Sequence, residues 1–355
     1  MPTIDVQKVT YNQLDDEKDV YIDVRSPLEF AEYSLPSAIN IPLFSNEERA
    51  KIGYIYKQES RDNAVEKGLE LFSMKLPLFY RELKMRYQSN PQIRIIVYCW
   101  RGGMRSKTIA GTLSLLGIPC FQLEGGIRSY RTFIQEFLAK QMEVGHQFVV
   151  LAGPSASRKT EILDHLEDKG YPVVNLEKLA NHRGSLFGHI GLTPHSQKEF
   201  EARLVRRLIE LEHANHLIIE AESKRIGRVV VPSFILKGKD EGRIIEIDTP
   251  FHDRINHIHQ TYRPDLHKEE FGEAISYLRK RLSHPVYMEV RKAYDENRFD
   301  DLFTLLLECY YDPRYEFKQG VDRAKGSSIS FHPFEEGLST LEKELDQLIH
   351  HSHER

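Results

Sequence analysis

Cysteine is scarce: Cys99, Cys120 and Cys309 are the three in a chain of 355 residues. Three thiols build no disulfide framework and fit a reducing compartment, so a cytoplasmic location is expected. Long apolar runs are missing as well, none approaching the ~18 residues of a membrane helix. The opening "MPTIDVQKVTYNQLDDEKDV" lacks the charged start and apolar core of a secretory leader. Positive charge is not in excess either, with 49 Lys and Arg against 53 Asp and Glu. Any RNA-binding surface therefore has to be a local patch. The terminal "IHHSHER" is rich in histidine without metal-ligand spacing, so no metal site is expected there. What remains is ordinary globular composition, long enough for two or three domains.

Residues 1–140 read as a first domain. "VYIDVRSPLEF" opens with a β-branched strand ending at Asp23 and Arg25. Ser26 then offers an N-cap, Pro27 a first helical position and Glu29 a first-turn acid. "IRIIVYC" is a buried strand, "SKTIAGTLSLLG" a helix closed by Gly117, and "IPCFQLEGG" a further strand. Strands alternating with helices predict a parallel sheet covered on both faces. Ligands of such sheets lie beyond the carboxyl ends of the strands, where Cys99 falls. The loop "CWRGGMRS" joins strand to helix, so backbone N–H groups of Trp100, Gly102, Gly103 and Met104 can curl around an anion. Arg101 and Arg105 add fixed positive charge. Such surroundings favour a nucleophilic thiolate over a packed core cysteine. Cys120 and Cys309, among apolar neighbours, are expected in the core. Between about 44 and 90 the periodicity predicts a helical insertion with Lys/Arg-rich faces and exposed tyrosines, read as solvated.

Residues 5 to 135 resemble the rhodanese fold, "DVRSPLEFAEYSLPSAINIPL" matching its entry signature and "LEGGIRSYR" its last strand and turn. The resemblance implies that Cys99 carries sulfur or selenium. The spacing from Cys99 to Arg105 is C-x5-R, one residue longer than the usual sulfurtransferase loop. That length also resembles the cysteine phosphatases on the same fold. A larger cradle suits phosphate or selenophosphate, and loop length leaves both chemistries open.

A second domain is read over 146–355. "FVVLAGPSASRKTEIL" is strand, loop and helix, the setting of a phosphate-binding P-loop. Gly153, Ser157, Lys159 and Thr160 fit that motif, while Arg158 replaces its second glycine and Pro154 removes one backbone donor. These changes make it a degenerate phosphate loop, gripping phosphate more weakly or with help from the Arg158 charge, and leave nucleotide hydrolysis open. "ANHRGSLFGHIG" groups His182, Arg183 and Ser185 among glycines. "HLIIEAESKRIGR" ends an apolar strand in Glu220 and Glu222, followed by Ser223 and Arg225. A carboxylate there can hold Mg²⁺ or water, or simply pair with the neighbouring arginines. "LLLECYYDPRYEF" reads as a helix broken at Pro313, whose Tyr310, Tyr311 and Tyr315 either stack on bases or pack the helix end. "EARLVRRL", "SKRIGR" and "YLRKRL" are local basic stretches that would form an RNA patch if they converge.

The joint order of "YCWRGGMRS", "HRGSLFG", "EAESKRIG" and "YYDPRY" resembles the tRNA 2-selenouridine synthases across nearly the whole chain. The fold this implies is α/β: an N-terminal rhodanese-like parallel-sheet domain, then a C-terminal P-loop NTPase-like α/β domain with a helical C-terminal region. The activity it implies is selenium-for-sulfur exchange at a wobble 2-thiouridine of tRNA, through an S-geranylated intermediate. Selenophosphate and geranyl diphosphate are then the substrates, with no tightly bound cofactor. A selenophosphate-supplying enzyme becomes an expected partner and a membrane does not. On this reading the Cys99 loop takes selenophosphate and the Lys159 loop the diphosphate, with His182, Arg183, Ser185, Glu220, Glu222, Ser223 and Arg225 as further lining. A plain sulfurtransferase and a cysteine phosphatase remain the alternatives.

Overall fold

A computed structural model describes residues 6–319 and 326–350. The chain divides into two compact units, Met1–Ala139 and Lys140–Arg355.

In the first unit five parallel strands lie in the order β1-β5-β4-β2-β3. They are β1 (Lys8–Val9), β2 (Asp19–Asp23), β3 (Ile39–Asn40), β4 (Arg94–Tyr98) and β5 (Cys120–Leu123). Helices α1 (Pro27–Glu32), α2 (Asn46–Gln58), α3 (Arg61–Ser89), α4 (Met104–Leu115) and α5 (Ile127–Val144) connect and follow them. Central β4 is buried from Ile95 to Tyr98, which explains its unbroken apolar run. Helix α1 starts where Ser26, Pro27 and Glu29 predict, with the Ser26–Glu29 capping box formed. The insertion is the α2–α3 pair, and it is not wholly solvated. Phe72, Phe79 and Leu83 of α3 join the core that holds Ile95, Val97 and Cys99.

In the second unit the parallel order is β11-β10-β6-β7. Its strands are β6 (Gln147–Ala152), β7 (His216–Glu220), a small antiparallel hairpin of β8 (Arg225–Ile226) and β9 (Val229–Val230), then β10 (Arg243–Asp248) and β11 (Gly326–Ser330). Helices α6 (Lys159–Asp168), α7 (Leu176–Ala180), α8 (Gln197–Glu210) and α9 (Ser233–Glu241) intervene between the strands. The remaining helices are α10 (Phe251–Tyr262), α11 (Lys268–Ser276), α12 (His284–Asp295), α13 (Phe299–Leu306), α14 (Asp312–Gln319) and α15 (Phe334–His350). One core lies between the sheet and helices α6 and α15, and a second within the helical region from Phe271 to Tyr310.

Two expectations need correction here. The helix around Pro313 is not broken at the proline. The irregularity is a π-helical turn over Leu307–Tyr311, and Pro313 follows it as the second residue of α14, the helical run continuing through the proline. Cys120 is buried, and burial pushes its thiol up to about 12, but Cys309 is only half-buried and is not a core residue. The "IHHSHER" terminus beyond 350 lies outside the described residues. Among the described residues no helix is long and apolar enough to cross a membrane.

Candidate functional site

The Cys99 loop is shaped from behind. The Cys99 carbonyl accepts from Ile127 N–H (2.9 Å) and the Trp100 carbonyl from Arg128 N–H (3.3 Å). The Gln122 amide donates to the carbonyls of Gly102 (2.8 Å) and Gly103 (3.1 Å) and to the Ser106 hydroxyl (2.9 Å). A trans peptide plane points its N–H opposite to its carbonyl, so anchoring these four carbonyls turns the following N–H groups to the other side. Of the N–H groups so turned, that of Gly103 bonds the Cys99 sulfur, and among the described residues those of Arg101 and Met104 donate to no carbonyl outside a regular element. Gly102 has φ +63, and Gly126 approaches so closely that an added Cβ would lie 2.3 Å from the Cys99 carbonyl oxygen. These glycines are needed for that contact.

Cys99 is 3 % exposed, yet its sulfur is not sealed in hydrocarbon. Sγ accepts the Gly103 N–H at 3.3 Å and lies 3.2 Å from the Ser106 hydroxyl, at the start of α4. Arg105 reaches Glu29 at 3.1 Å, and Glu29 also faces Arg49 at 3.6 Å. Arg101, Trp100 and Met104 project at the exposed rim. The arrangement is a shallow N–H cradle with a sulfur on its floor and a guanidinium held at its edge by a carboxylate. Tetrahedral oxyanions suit such a cradle.

The second cradle follows β6. Ala156 (φ +64) and Arg158 (φ +61) adopt left-handed backbone although neither is glycine. The loop thus takes the turn its sequence resists, at roughly 1–2 kcal/mol of strain for each residue. The Arg158 side chain turns away to Glu161 (2.6 and 2.8 Å) and lies 3.4 Å from the centre of the Phe334 ring. Its backbone, rather than its charge, belongs to the loop. Lys159 curls over the loop, with Nζ donating to the carbonyls of Gly153 (2.8 Å) and Pro154 (3.0 Å) and to the Ser157 hydroxyl (3.2 Å). Those are the bonds a phosphate oxygen would replace. Burial pulls the Lys159 ammonium down, against the opposing charges of Glu177, Glu222 and Glu220.

Carboxylates crowd this lysine. Glu220 ends β7 and is 2 % exposed; its Oε1 accepts the Glu177 N–H at 2.7 Å. Its Oε2 is buried with no partner among the described residues, and burial pushes the carboxyl up to about 8. Glu177 bonds the Thr160 hydroxyl at 3.0 Å. Burial, with Glu222 and Glu220 nearby, raises its carboxyl well above the ordinary range. A Cβ on Gly184 would lie 2.5 Å from Glu177 and 2.7 Å from Glu222, so Gly184 lets the two carboxylates close in. His182 is buried between Gly188 and Gly227, its Nδ1 without a partner among the described residues and its imidazole shifted down chiefly by burial. Arg183 stacks 5.0 Å from the Tyr262 ring, and Tyr262 meets the Ser185 hydroxyl at 3.1 Å.

Ser223 and Arg225 are exposed and bonded to each other, Ser223 Oγ to the Arg225 carbonyl at 2.7 Å, with no described contact to Lys159. Tyr310 is 5 % exposed and bonded to Arg281 at 2.7 Å, so of the two roles open to it, packing holds. The basic stretches are partly consumed locally, Arg203 by Glu199 and Arg207 by Glu167 and Glu210. Among the described residues no group of three His, Cys, Asp or Glu side chains is spaced to hold a metal ion.

Sequence reasoning gave Glu29 only a place in the first turn of α1 and Asp312 only a place in "YYDPRY", and it missed Gln122, Glu177 and Arg254. Arg254 is 5 % exposed and touches the loop after β6, its Nε donating to the Ser155 carbonyl at 2.9 Å.

The tRNA 2-selenouridine synthase AAA domain profile matches residues 146–339, more than half of the chain, and a rhodanese-like domain profile matches 6–132. The chain belongs to the tRNA 2-selenouridine synthase family. A tRNA 2-selenouridine synthase from Nitrosomonas eutropha is 35% identical over 246 residues, covering 68% of this chain and 62% of that protein. One from Hydrogenovibrio crunogenus is 31% identical over 335 residues, 86% of this chain and 90% of its own. One from Marinobacter nauticus is 31% identical over 338 residues, with 86% and 90% covered. The match therefore spans about three fifths of the Nitrosomonas relative and nearly all of the other two. Both cradles lie within the matched profiles, one in each.

Proposed function

We propose that this member of the family converts wobble 2-thiouridine of tRNA to 2-selenouridine in the cytoplasm, using geranyl diphosphate and then selenophosphate. A separate selenium-activating enzyme supplies the second donor. What supports the reading is that each unit has a strand–loop–helix turn of anion-cradle type, and that of these two loops the Cys99 loop contains a thiol and the Lys159 loop a lysine.

In the first step the thiouridine sulfur attacks C1 of the geranyl chain. The C1–O bond breaks, and the diphosphate leaves with its electron pair while the N3 proton is lost from the base. Lys159, released from the Gly153 and Pro154 carbonyls, meets the developing charge together with the loop N–H groups. Thr160 and the unpartnered Glu220 Oε2 fit a Mg²⁺ accompanying the diphosphate, which would neutralise charge on the leaving group. In the second step the selenium of selenophosphate attacks C2, the C2–S bond breaks and geranylthiol leaves with a proton. Water then cleaves the P–Se bond, releasing phosphate and leaving the selenonucleoside. The N–H groups around Cys99 take the phosphoryl oxygens, with Arg105 beside them and the Cys99 sulfur next to the selenium.

The test incubates the protein with 2-thiouridine tRNA and both donors and analyses the nucleosides by mass. A geranylated nucleoside without selenophosphate, and a selenonucleoside with it, is the expected pair. Thiosulfate-to-cyanide sulfur transfer without any tRNA product, or aryl phosphate hydrolysis lost on Cys99→Ser, contradicts the proposal.

A further inference from the structure

The P-loop holds a shape that its own sequence opposes. Pro154 offers no N–H, and Ala156 and Arg158 carry side chains on left-handed backbone. Something outside the loop has to keep the intervening peptides in place. Ser155 carries the one loop carbonyl that a buried guanidinium reaches among the described residues, through Arg254 Nε at 2.9 Å. The other edge of that guanidinium is closed by a bidentate bond to Asp312, at 3.0 and 2.6 Å. Its face lies 5.6 Å from the Phe251 ring. Arg254 therefore has a packed face and two committed edges, and its charge is answered by a carboxylate.

Asp312 begins α14 directly after the π-helical turn over Leu307–Tyr311. The extra residue in such a turn rotates whatever follows it relative to a plain α-helix. This gives "YYDPRY" a use that its tyrosines do not supply. Fixing the Ser155 carbonyl on the Arg254 side also fixes the Ala156 N–H on the opposite side of a planar trans peptide. Among the described residues that N–H donates to no carbonyl outside a regular element.

We propose that Arg254 and Asp312 are positioning residues that hold the Ser155–Ala156 peptide in its anion-binding orientation, in place of the glycines the loop lacks. The proposal deepens the diphosphate reading and rests on it only for the identity of the anion. Arg254 does not itself grip the anion, because Asp312 occupies its Nη edge.

The full-length protein is tested with inorganic diphosphate by titration calorimetry, and by hydrogen exchange of the 153–158 peptide without ligand. Asp312→Asn and Arg254→Lys should each weaken diphosphate about tenfold and speed exchange in the loop while β6 and β7 stay protected. Because the loop N–H groups also meet the developing charge, kcat/KM for geranyl diphosphate should fall by at least the same factor. Ala156→Gly added to Asp312→Asn should recover most of the loss, since the anchor then restrains an unstrained loop. Equal or tighter diphosphate binding by Asp312→Asn, with loop exchange unchanged, overturns the proposal, and tighter binding would identify Arg254 as a ligand. Should the wild type bind no diphosphate while Asp312→Asn still speeds loop exchange, the anchor stands and the diphosphate reading falls.

Discussion

Replacing Glu220 by glutamine removes a titratable carboxyl from a site where burial holds its proton to about pH 8. The ordinary carboxylate value is 4.5. A group whose folded value is raised binds more protons in the native than in the unfolded chain. Its stabilisation is thus complete below pH 4.5 and is lost as pH climbs through 8. Each pH unit in that window is worth roughly 1.4 kcal/mol, which bounds the loss at about 5 kcal/mol. Local hydration lowers it, leaving about 2–5 kcal/mol. The glutamine is isosteric, keeps an acceptor for the Glu177 N–H and cannot ionise. Stability of the second unit is read from exchange of β6 and β7 amides between pH 5 and 9, corrected for the intrinsic pH dependence of exchange. The wild type should lose protection as pH rises, and Glu220→Gln should lose much less, Glu177 supplying the residual slope. An identical slope in the two proteins would show that Glu220 ionises freely and that the carboxylate cluster is not buried as described.

Three further outcomes follow from the loops. Ala156→Gly relieves a left-handed alanine, and after the entropic cost of a new glycine it should stabilise the second unit by about 0.5–1 kcal/mol in urea titrations; a destabilised variant contradicts the strain. Gly126→Ala puts a Cβ 2.3 Å from the Cys99 carbonyl oxygen, so the first unit should lose about 2 kcal/mol or more and selenium insertion should fall; a near-neutral melt refutes the close packing. Glu29→Gln frees Arg105 from its 3.1 Å partner and should raise KM for selenophosphate about fivefold, with geranylation unchanged; a shift in geranylation instead would separate Arg105 from the selenium step.

The parts of both sites that can be read in the sequence are those built locally. Strand, loop and helix succeed one another within a few residues around Cys99 and around Lys159, so composition alone places thiol, lysine and N–H groups together. Glu220 is legible for the same reason, as the polar end of an apolar strand. The groups that hold these loops in shape are not legible. Glu29 lies 76 positions from Arg105, and Arg254 lies 99 positions from Ser155. Each sits in a helix whose pattern reads as a solvated face or a cap, and only tertiary packing brings it to its distant partner. The tyrosines near Pro313 illustrate the converse. They are conspicuous in the sequence, yet the residue beside them that reaches Arg254, and through it the Ser155 carbonyl, is Asp312.

Separating the two steps tests the division of labour most directly. Transfer RNA already carrying S-geranyl-2-thiouridine is given to Lys159→Ala and to Cys99→Ser with selenophosphate, and selenonucleoside is quantified by mass. Lys159→Ala should insert selenium at close to the wild-type rate, having been excused the step that needs its loop, whereas Cys99→Ser should leave the geranylated nucleoside intact. Selenium insertion by Cys99→Ser at the wild-type rate, or its loss in Lys159→Ala, would contradict the assignment of one donor to each cradle.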